Sequence, residues 1–161
     1  MKDGRMWYDF HMGLVENKKA GLKYEILERF HGGLELLGFE VRSVKGRQGS
    51  LEGSYVIVRG GEAYLVGAHI PPYQPKNTPS HYDPYRLRRV LLTKKEIAEL
   101  AGHGERKGLT IVPLSMYNKG RKIKLEIGLA RGKKKYDKRE TLRKREDDRH
   151  IEREMKRSRE E

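Results

Sequence analysis

The chain has no cysteine at all. Disulfides, thiolate nucleophiles and cysteine-ligated zinc are thereby excluded, and the composition suits a reducing compartment. Long apolar runs are missing too; none approaches the roughly 20 residues that a membrane-spanning helix needs. Residues 1–14 scatter Lys2, Asp3, Arg5, Asp9 and His11 among their apolar neighbours, so they lack the uncharged centre of a secretory signal. Acidic residues are in deficit, 23 Asp+Glu against 36 Lys+Arg, which leaves a formal net charge of +13 over 161 residues. These absences predict a cytoplasmic protein, outside any membrane, whose partner is a polyanion, nucleic acid first.

Catalytic arrangements are absent as well. Ser54, Ser80 and Ser115 sit in no nucleophile-elbow context, and no closely spaced carboxylates suggest a two-metal nuclease. His69, His81 and Asp83 lack the spacing of a metal-ligand set. The glycines at 128 and 132 are one residue too close for a phosphate-binding loop, and no Ser or Thr follows Lys133. The expectation is a non-enzymatic protein with no cofactor and no metal. No fixed-period repeat is present, which excludes solenoids and propellers.

What is present divides in two, a body over 1–130 and a basic tail over 131–161. In the tail only Leu142, Ile151 and Met155 are aliphatic. That is too little apolar surface to offset roughly 1–2 kcal/mol per residue of backbone ordering, so the free tail is expected to be disordered. Its first half, 131–145, holds nine basic and two acidic residues, and its second half, 146–161, five basic and seven acidic. Glu140 with Lys144, and Glu152 with Lys156, are i,i+4 pairs that permit a helix without compelling one.

In the body, Asn17 is placed to cap a short turn through Lys18, Lys19 and Ala20. Tyr24, Ile26, Glu28 and Phe30 alternate with Glu25, Leu27 and Arg29 as a strand, which Gly32, Gly33 and Gly38 bend and bulge. Residues 41–45 read as a brief helical turn. Two β-branched and aromatic runs, 54–59 and 62–70, are joined by Gly60-Gly61, a tight hairpin loop. A long loop over 71–84, of a length often functional, ends in Asp83-Pro84, which reads as a helix N-cap followed by proline. Thr93-Lys94-Lys95-Glu96 is a capping box opening a helix over 93–101. A second hairpin pairs 109–117 with 121–130 around Asn118-Lys119-Gly120, with Pro113 marking an edge or bulge. Its second strand alternates Ile123, Leu125 and Ile127 with Lys122, Lys124 and Glu126. The fold expected is mainly β with accessory helices, a small closed antiparallel barrel of the oligonucleotide-binding (OB-fold) kind. A split α+β sheet is the alternative.

Lys and Arg are interleaved with Tyr at 18–24, at 82–89 and at 117–124. That mixture suits RNA, where cations meet phosphates and planar side chains stack on exposed bases. A tyrosine taken singly is better explained by strand propensity. The charge balance fits equally a structural ribosomal protein whose tail threads rRNA.

Taken together, several motifs resemble the small protein B (SmpB) family, the tmRNA-binding proteins of trans-translation. They include Glu16-Asn17-Lys18-Lys19-Ala20, Gly38-Phe39-Glu40-Val41-Arg42-Ser43, Asp83-Pro84 with Arg86 and Arg88, Leu91-Leu92, 108–114, and Gly132-Lys133-Lys134 followed by Asp137-Lys138-Arg139. The resemblance implies a monomeric OB-like barrel gripping the tRNA-like domain of tmRNA through Asn17, Lys18, Tyr24, His31, Leu91, Lys124 and Gly132. It implies delivery, with elongation factor Tu, to stalled ribosomes. The tail, helical when bound, would act in the decoding centre of the small subunit, against 16S rRNA, and in the empty mRNA channel, through Tyr136, Asp137, Lys138 and Arg139. The family usually has an acidic residue where this chain has His31, and His or Asn where it has Thr93. Some members carry histidine at the position of Tyr136.

Overall fold

The computed structural model describes residues 13–104, 106, 108–133 and 135–160. In chain order the elements are β1 (Val15–Glu16), α1 (Ala20–Lys23), β2 (Tyr24–Leu34), α2 (Gly38–Lys45), β3 (Tyr55–Arg59) and β4 (Glu62–Val66). A 3-10 turn (Pro75–Asn77) is followed by β5 (Arg88–Leu91), α3 (Lys94–Gly104), β6 (Leu109–Lys119), β7 (Lys122–Gly132) and α4 (Lys135–Glu160). Seven strands form one antiparallel sheet in the order β1-β6-β7-β2-β5-β4-β3. The fold is therefore mixed α/β, and among the described residues no ladder joins β3 back to β6.

Local chemistry explains the hairpins. Gly60 and Gly61 take φ of +60° and +75°, the left-handed pair that a two-residue loop needs if it is to follow the twist of its strands. The second hairpin turns at Gly120, φ +62°, and Arg121, just past the loop expected at Asn118-Lys119-Gly120, whose first two residues belong to β6. Pro113 cannot donate to a ladder, and the β6–β7 register shifts between Pro113 and Ser115. At the start of α3 the Glu96 N–H donates to Thr93 Oγ1 (3.2 Å) and the Thr93 N–H to Glu96 Oε1 (3.2 Å), a reciprocal cap.

Three local expectations are corrected. Asn17 does not cap α1 with its side chain; Nδ2 donates instead to the Pro113 carbonyl, 2.9 Å, and so ties the β1–α1 turn to β6. Asp83-Pro84 opens no helix. Asp83 Oδ1 accepts from the Tyr85 N–H (2.9 Å) and its carbonyl from the Arg86 N–H (3.1 Å), a turn that delivers the chain into β5. In β2 the register slips between Ile26 and Glu28, so strict alternation fails. Phe30, opposite Ile127, faces the core, while Tyr24 and Ile26, opposite Gly132 and Ala130, lie on the other face.

The core collects one face of every long strand, including Phe30, Leu34, Val56, Leu65, Val90, Met116, Leu125 and Ile127, with Leu100 of α3 fully buried among them. Two charged residues lie inside it. Glu40 of α2 and Arg88 of β5 are both 0% exposed, and their ion pair measures 2.6 Å. Arg88 spends its remaining donors on the carbonyls of Ala68 (2.8 Å) and Pro84 (2.9 Å) and on the Tyr82 hydroxyl (3.0 Å). Arg86 closes on Glu40 from the other side, and the Leu37 N–H donates to it at 2.8 Å. Burial pushes the Glu40 carboxyl up, but Arg86, the Leu37 N–H and Arg88 outweigh it and hold it below the usual carboxylate range. Burial and the Glu40 carboxylate raise the Tyr82 hydroxyl to about 12. This network fastens the long loop over 71–87 to α2.

β7 runs on to Gly132 and α4 begins at Lys135. α4 is one continuous helix of 26 residues, in contrast to the expectation of a tail without regular structure. Residues 135–160 contain neither Gly nor Pro and are rich in Arg, Lys and Glu, all good helix formers. The base of the tail meets α1: the Lys133 N–H donates to the Lys23 carbonyl (2.9 Å) and Lys133 Nζ to the Gly21 carbonyl (2.8 Å). No described helix is long and apolar enough to cross a membrane.

Candidate nucleic-acid interface

Register places the side chains opposite the core in rows across four strands. Tyr117 of β6, Lys124 of β7, Gly33 of β2 and Leu91 of β5 are successive cross-strand neighbours. Two residues along, Ser115, Glu126 and His31 form the next row; beyond it lie Gly128 and Arg29, then Ala130 with Ile26, then Gly132 with Tyr24. Tyr24, His31, Leu91, Lys124 and Gly132, dispersed over 109 positions of sequence, therefore share one face. Asn17 and Lys18 stand beside it in the β1–α1 turn. Asn17 and Tyr24 line a common groove of about 190 Å³, and Lys18 is exposed.

Within this face the side chains hold one another. Arg29 Nη1 reaches Glu126 Oε1 at 2.6 Å, and Ser115 Oγ donates to Glu126 Oε2 at 3.3 Å. His31 Nδ1 lies 2.9 Å from the Tyr117 hydroxyl, the rings edge to face at 5.8 Å. Burial, and then the charge of Glu126, pushes the Tyr117 hydroxyl up and keeps it a proton donor. Where the resemblance leads to the expectation of an acid this chain has His31, yet the face keeps a carboxylate, because Glu126 is the cross-strand partner of His31. Thr93 lies elsewhere, spent on capping α3.

Leu91 is 49% exposed, an apolar side chain held open beside Lys124 and laid over Gly33, where an added Cβ would sit 3.4 Å from Leu91 Cβ. A Cβ at Gly132 would meet nothing within 4 Å, so no packing inside the chain demands glycine there. The arrangement offers cations at Lys124 and Arg29, the His31 ring packed edge to face on Tyr117 and an open apolar contact, the elements of a sugar-phosphate and base surface. No group of His, Asp or Glu able to hold a metal occurs among the described residues.

Sequence reasoning missed Arg29 and Glu126 as parts of this face, and had Tyr117 only within the mixed basic and aromatic stretch 117–124. Alternation in β7 put Glu126 toward solvent, whereas it is buried; the signal that could have found it is Arg29, a cation on a strand otherwise paired to β7. Of the tail residues, Arg139 is exposed on α4, and the side chains of Tyr136, Asp137 and Lys138 lie outside the described residues.

Comparison with known proteins gives the family. Residues 14–157 match the family model described as SmpB protein. An SsrA-binding protein of Microcystis aeruginosa is 50% identical over 144 residues, covering 89% of this chain and 94% of its own length. The SsrA-binding protein of Roseiflexus sp. is 44% identical over 148 residues, covering 92% and 94%. A solved chain described as "tmRNA-SmpB: a journey to the center of the bacterial ribosome" superposes with a TM-score of 0.64 at 41% identity, over 80% of this chain and 93% of that one. The chain belongs to the SmpB protein family.

Proposed function

We infer that this chain binds tmRNA and helps deliver it to stalled ribosomes for trans-translation, as a non-enzymatic RNA-binding adaptor. The observation that carries the reading, beside the family, is the row Lys124–Gly33–Leu91, where an exposed leucine and a lysine are presented together on rigid strands. On this reading the tRNA-like domain lies on that face and touches Asn17, Lys18, Tyr24, His31 and Gly132. The sheet curls into an OB-like barrel; Val56 and Ile57 of β3, Thr110 and Ile111 of β6 and Leu100 of α3 line one groove, which supports closure. The tail α4 enters the decoding centre against 16S rRNA through Tyr136, Asp137, Lys138 and Arg139. Elongation factor Tu joins through the RNA, and the protein acts as a cytoplasmic monomer.

Filter binding of the tRNA-like domain across a salt series tests the face. Lys18→Ala and Lys124→Ala should each flatten the slope of log K against log salt by roughly 0.7–0.9, whereas Leu91→Asp should weaken binding with no matching loss of slope. Unchanged affinity in all three would move the RNA elsewhere. Truncation after Lys135, or Ala at Asp137, Lys138 and Arg139 together, should leave most tmRNA affinity and abolish peptide tagging in a reconstituted assay. Survival of tagging in the triple variant would remove the tail from that role.

A further inference from the structure

The long loop over 71–87 is fastened by the most heavily bonded buried network in the described chain, and nothing in the RNA face uses it. It builds a groove of about 320 Å³ against α2, lined by Phe39, Arg42, Tyr73, Gln74, Asn77 and Thr78. That volume falls at the small end of ligand pockets, about 300–1,000 Å³, with room for one nucleotide. The position is fixed rigidly. Ser43 Oγ donates to the Pro71 carbonyl at 2.5 Å, and Tyr82, itself tied to Glu40 and Arg88, holds the Phe39 ring edge-on at 4.7 Å.

The lining has the chemistry of a base slot. Tyr73 is 45% exposed and borders the groove together with Phe39, which gives aromatic walls. Asn77 Nδ2 donates to Gln74 Oε1 (2.8 Å), which orients both amides and turns the Asn77 carbonyl oxygen and the Gln74 amide nitrogen toward other partners. The charged residue in the lining is Arg42, with Lys45 one turn on in α2 and Lys76 in the 3-10 turn, while the one carboxylate of α2, Glu40, is buried and paired. A ring slot with amide edges and a cationic rim complements a nucleobase with its phosphate. Continuity supplies the source. β2 ends at Leu34, opposite Val90 and one residue past the Gly33–Leu91 pair, and α2 begins at Gly38. The five residue steps from Gly33 to Gly38 reach at most about 18 Å, so an RNA lying on Leu91 has a nucleotide within reach of this groove.

We propose that the Phe39–Tyr73 groove takes one unstacked nucleotide of the tRNA-like domain, its base between the aromatic rings and its phosphate on Arg42. This rests on the tmRNA reading above. It lies at the opposite end of β2 from Tyr24 and Gly132, where the tail departs, so the body grips the RNA at two separated points while the tail stays clear.

The test uses the full chain and the tRNA-like domain transcribed alone. Tyr73→Ala should weaken filter binding roughly 5- to 150-fold, the value of one base stacked on an aromatic ring, without changing the salt slope. Tyr73→Phe should restore it, and Arg42→Gln should flatten the slope by about 0.7–0.9. Chemical probing should show one base shielded by the native protein and reactive with Tyr73→Ala, at unaltered melting of the protein. If the native chain fails to bind the domain, the tmRNA reading falls and this one with it. If the native chain binds and Tyr73→Ala binds equally with the same base pattern, the slot alone is overturned. Lost tagging at unchanged RNA affinity would also overturn it, in favour of an acidic protein at the groove.

Discussion

β7 and α4 follow one another in the chain with two residues between them, and they hold their shapes by opposite means. β7 is laddered on both sides, to β2 and to β6, and every residue from Leu125 to Ala130 is buried. The described side chains of α4 from Leu142 to Lys156 are all exposed; its order comes from backbone bonds within the helix and from the contact of its base with α1. A strand stabilised by partners 90 residues away melts with the whole body. A helix stabilised locally opens in pieces, and Leu142, Ile151 and Met155 remain available to whatever the tail meets.

Breaking the body at its buried charges should have the largest effect. Glu40→Ala leaves Arg88 in the core without its carboxylate and frees the loop over 71–87; removal of one partner of a buried pair costs about 3–5 kcal/mol, to be read in urea unfolding. Acid should reach the same network. The Glu40 carboxyl is lowered in the fold relative to the unfolded chain, so its stabilisation is complete above the ordinary glutamate range and is lost as pH falls through the folded value. Unfolding midpoints should therefore drop below about pH 4.3 in the native chain. A Glu40→Gln variant should be weaker at neutral pH and show a shallower acid limb. An identical acid limb in both would place the responsible carboxylate elsewhere.

The same deletion made on either side of the junction sharpens the contrast. Leu125→Ala removes a side chain with 0% exposure and should cost about 2–5 kcal/mol. Leu142→Ala, from a side chain 47% exposed, should change unfolding by no more than about 0.5 kcal/mol. Amide exchange should follow the same division, slow through β2, β6 and β7 and fast through α4 beyond its first turns. Slow exchange throughout α4 in a monomer would mean that something in the body covers it.

What the sequence reveals follows the range of the forces involved. The Gly60-Gly61 hairpin and the Thr93–Glu96 cap depend on residues next to one another and were legible. Asp83-Pro84 has the same local chemistry at a helix start and at a turn, and the choice is made by Arg86 and Arg88 reaching Glu40, 46 and 48 positions away. Asn17 was drawn from its capping role by a carbonyl 96 positions on. Of the proposed RNA face, the residue types were readable through the family resemblance, but their juxtaposition required the register of four strands. The bulge beside Leu27 reverses the alternation, which no count along β2 would show. The helix of the tail follows from its unbroken run of helix formers, a local signal that its scarce aliphatics do not carry.

The smallest effect tests whether the two regions communicate. Gly21 lies in α1 with no positive φ, and a Cβ there would come within 3.2 Å of Arg145 Nη2 on α4. Two consequences oppose each other. Alanine in place of glycine stabilises a helical turn by about 0.5–1 kcal/mol, which favours the body. The same methyl crowds the guanidinium, but that is the far end of a flexible side chain on an exposed helix, so it can move aside at little cost. Gly21→Ala should thus raise the midpoint of body unfolding slightly and speed exchange of the α4 amides around Arg145. Lys133 keeps its two bonds to the Gly21 and Lys23 carbonyls, so the junction itself stays in place. Lys133→Met should separate these effects, removing the Nζ bond while leaving the N–H bond to Lys23, and should loosen α4 with no gain in the body. If Gly21→Ala lowered body stability instead, the seat of Arg145 on α1 would be a rigid contact that supports the body, and the division between region-wide and local order would fail at this point.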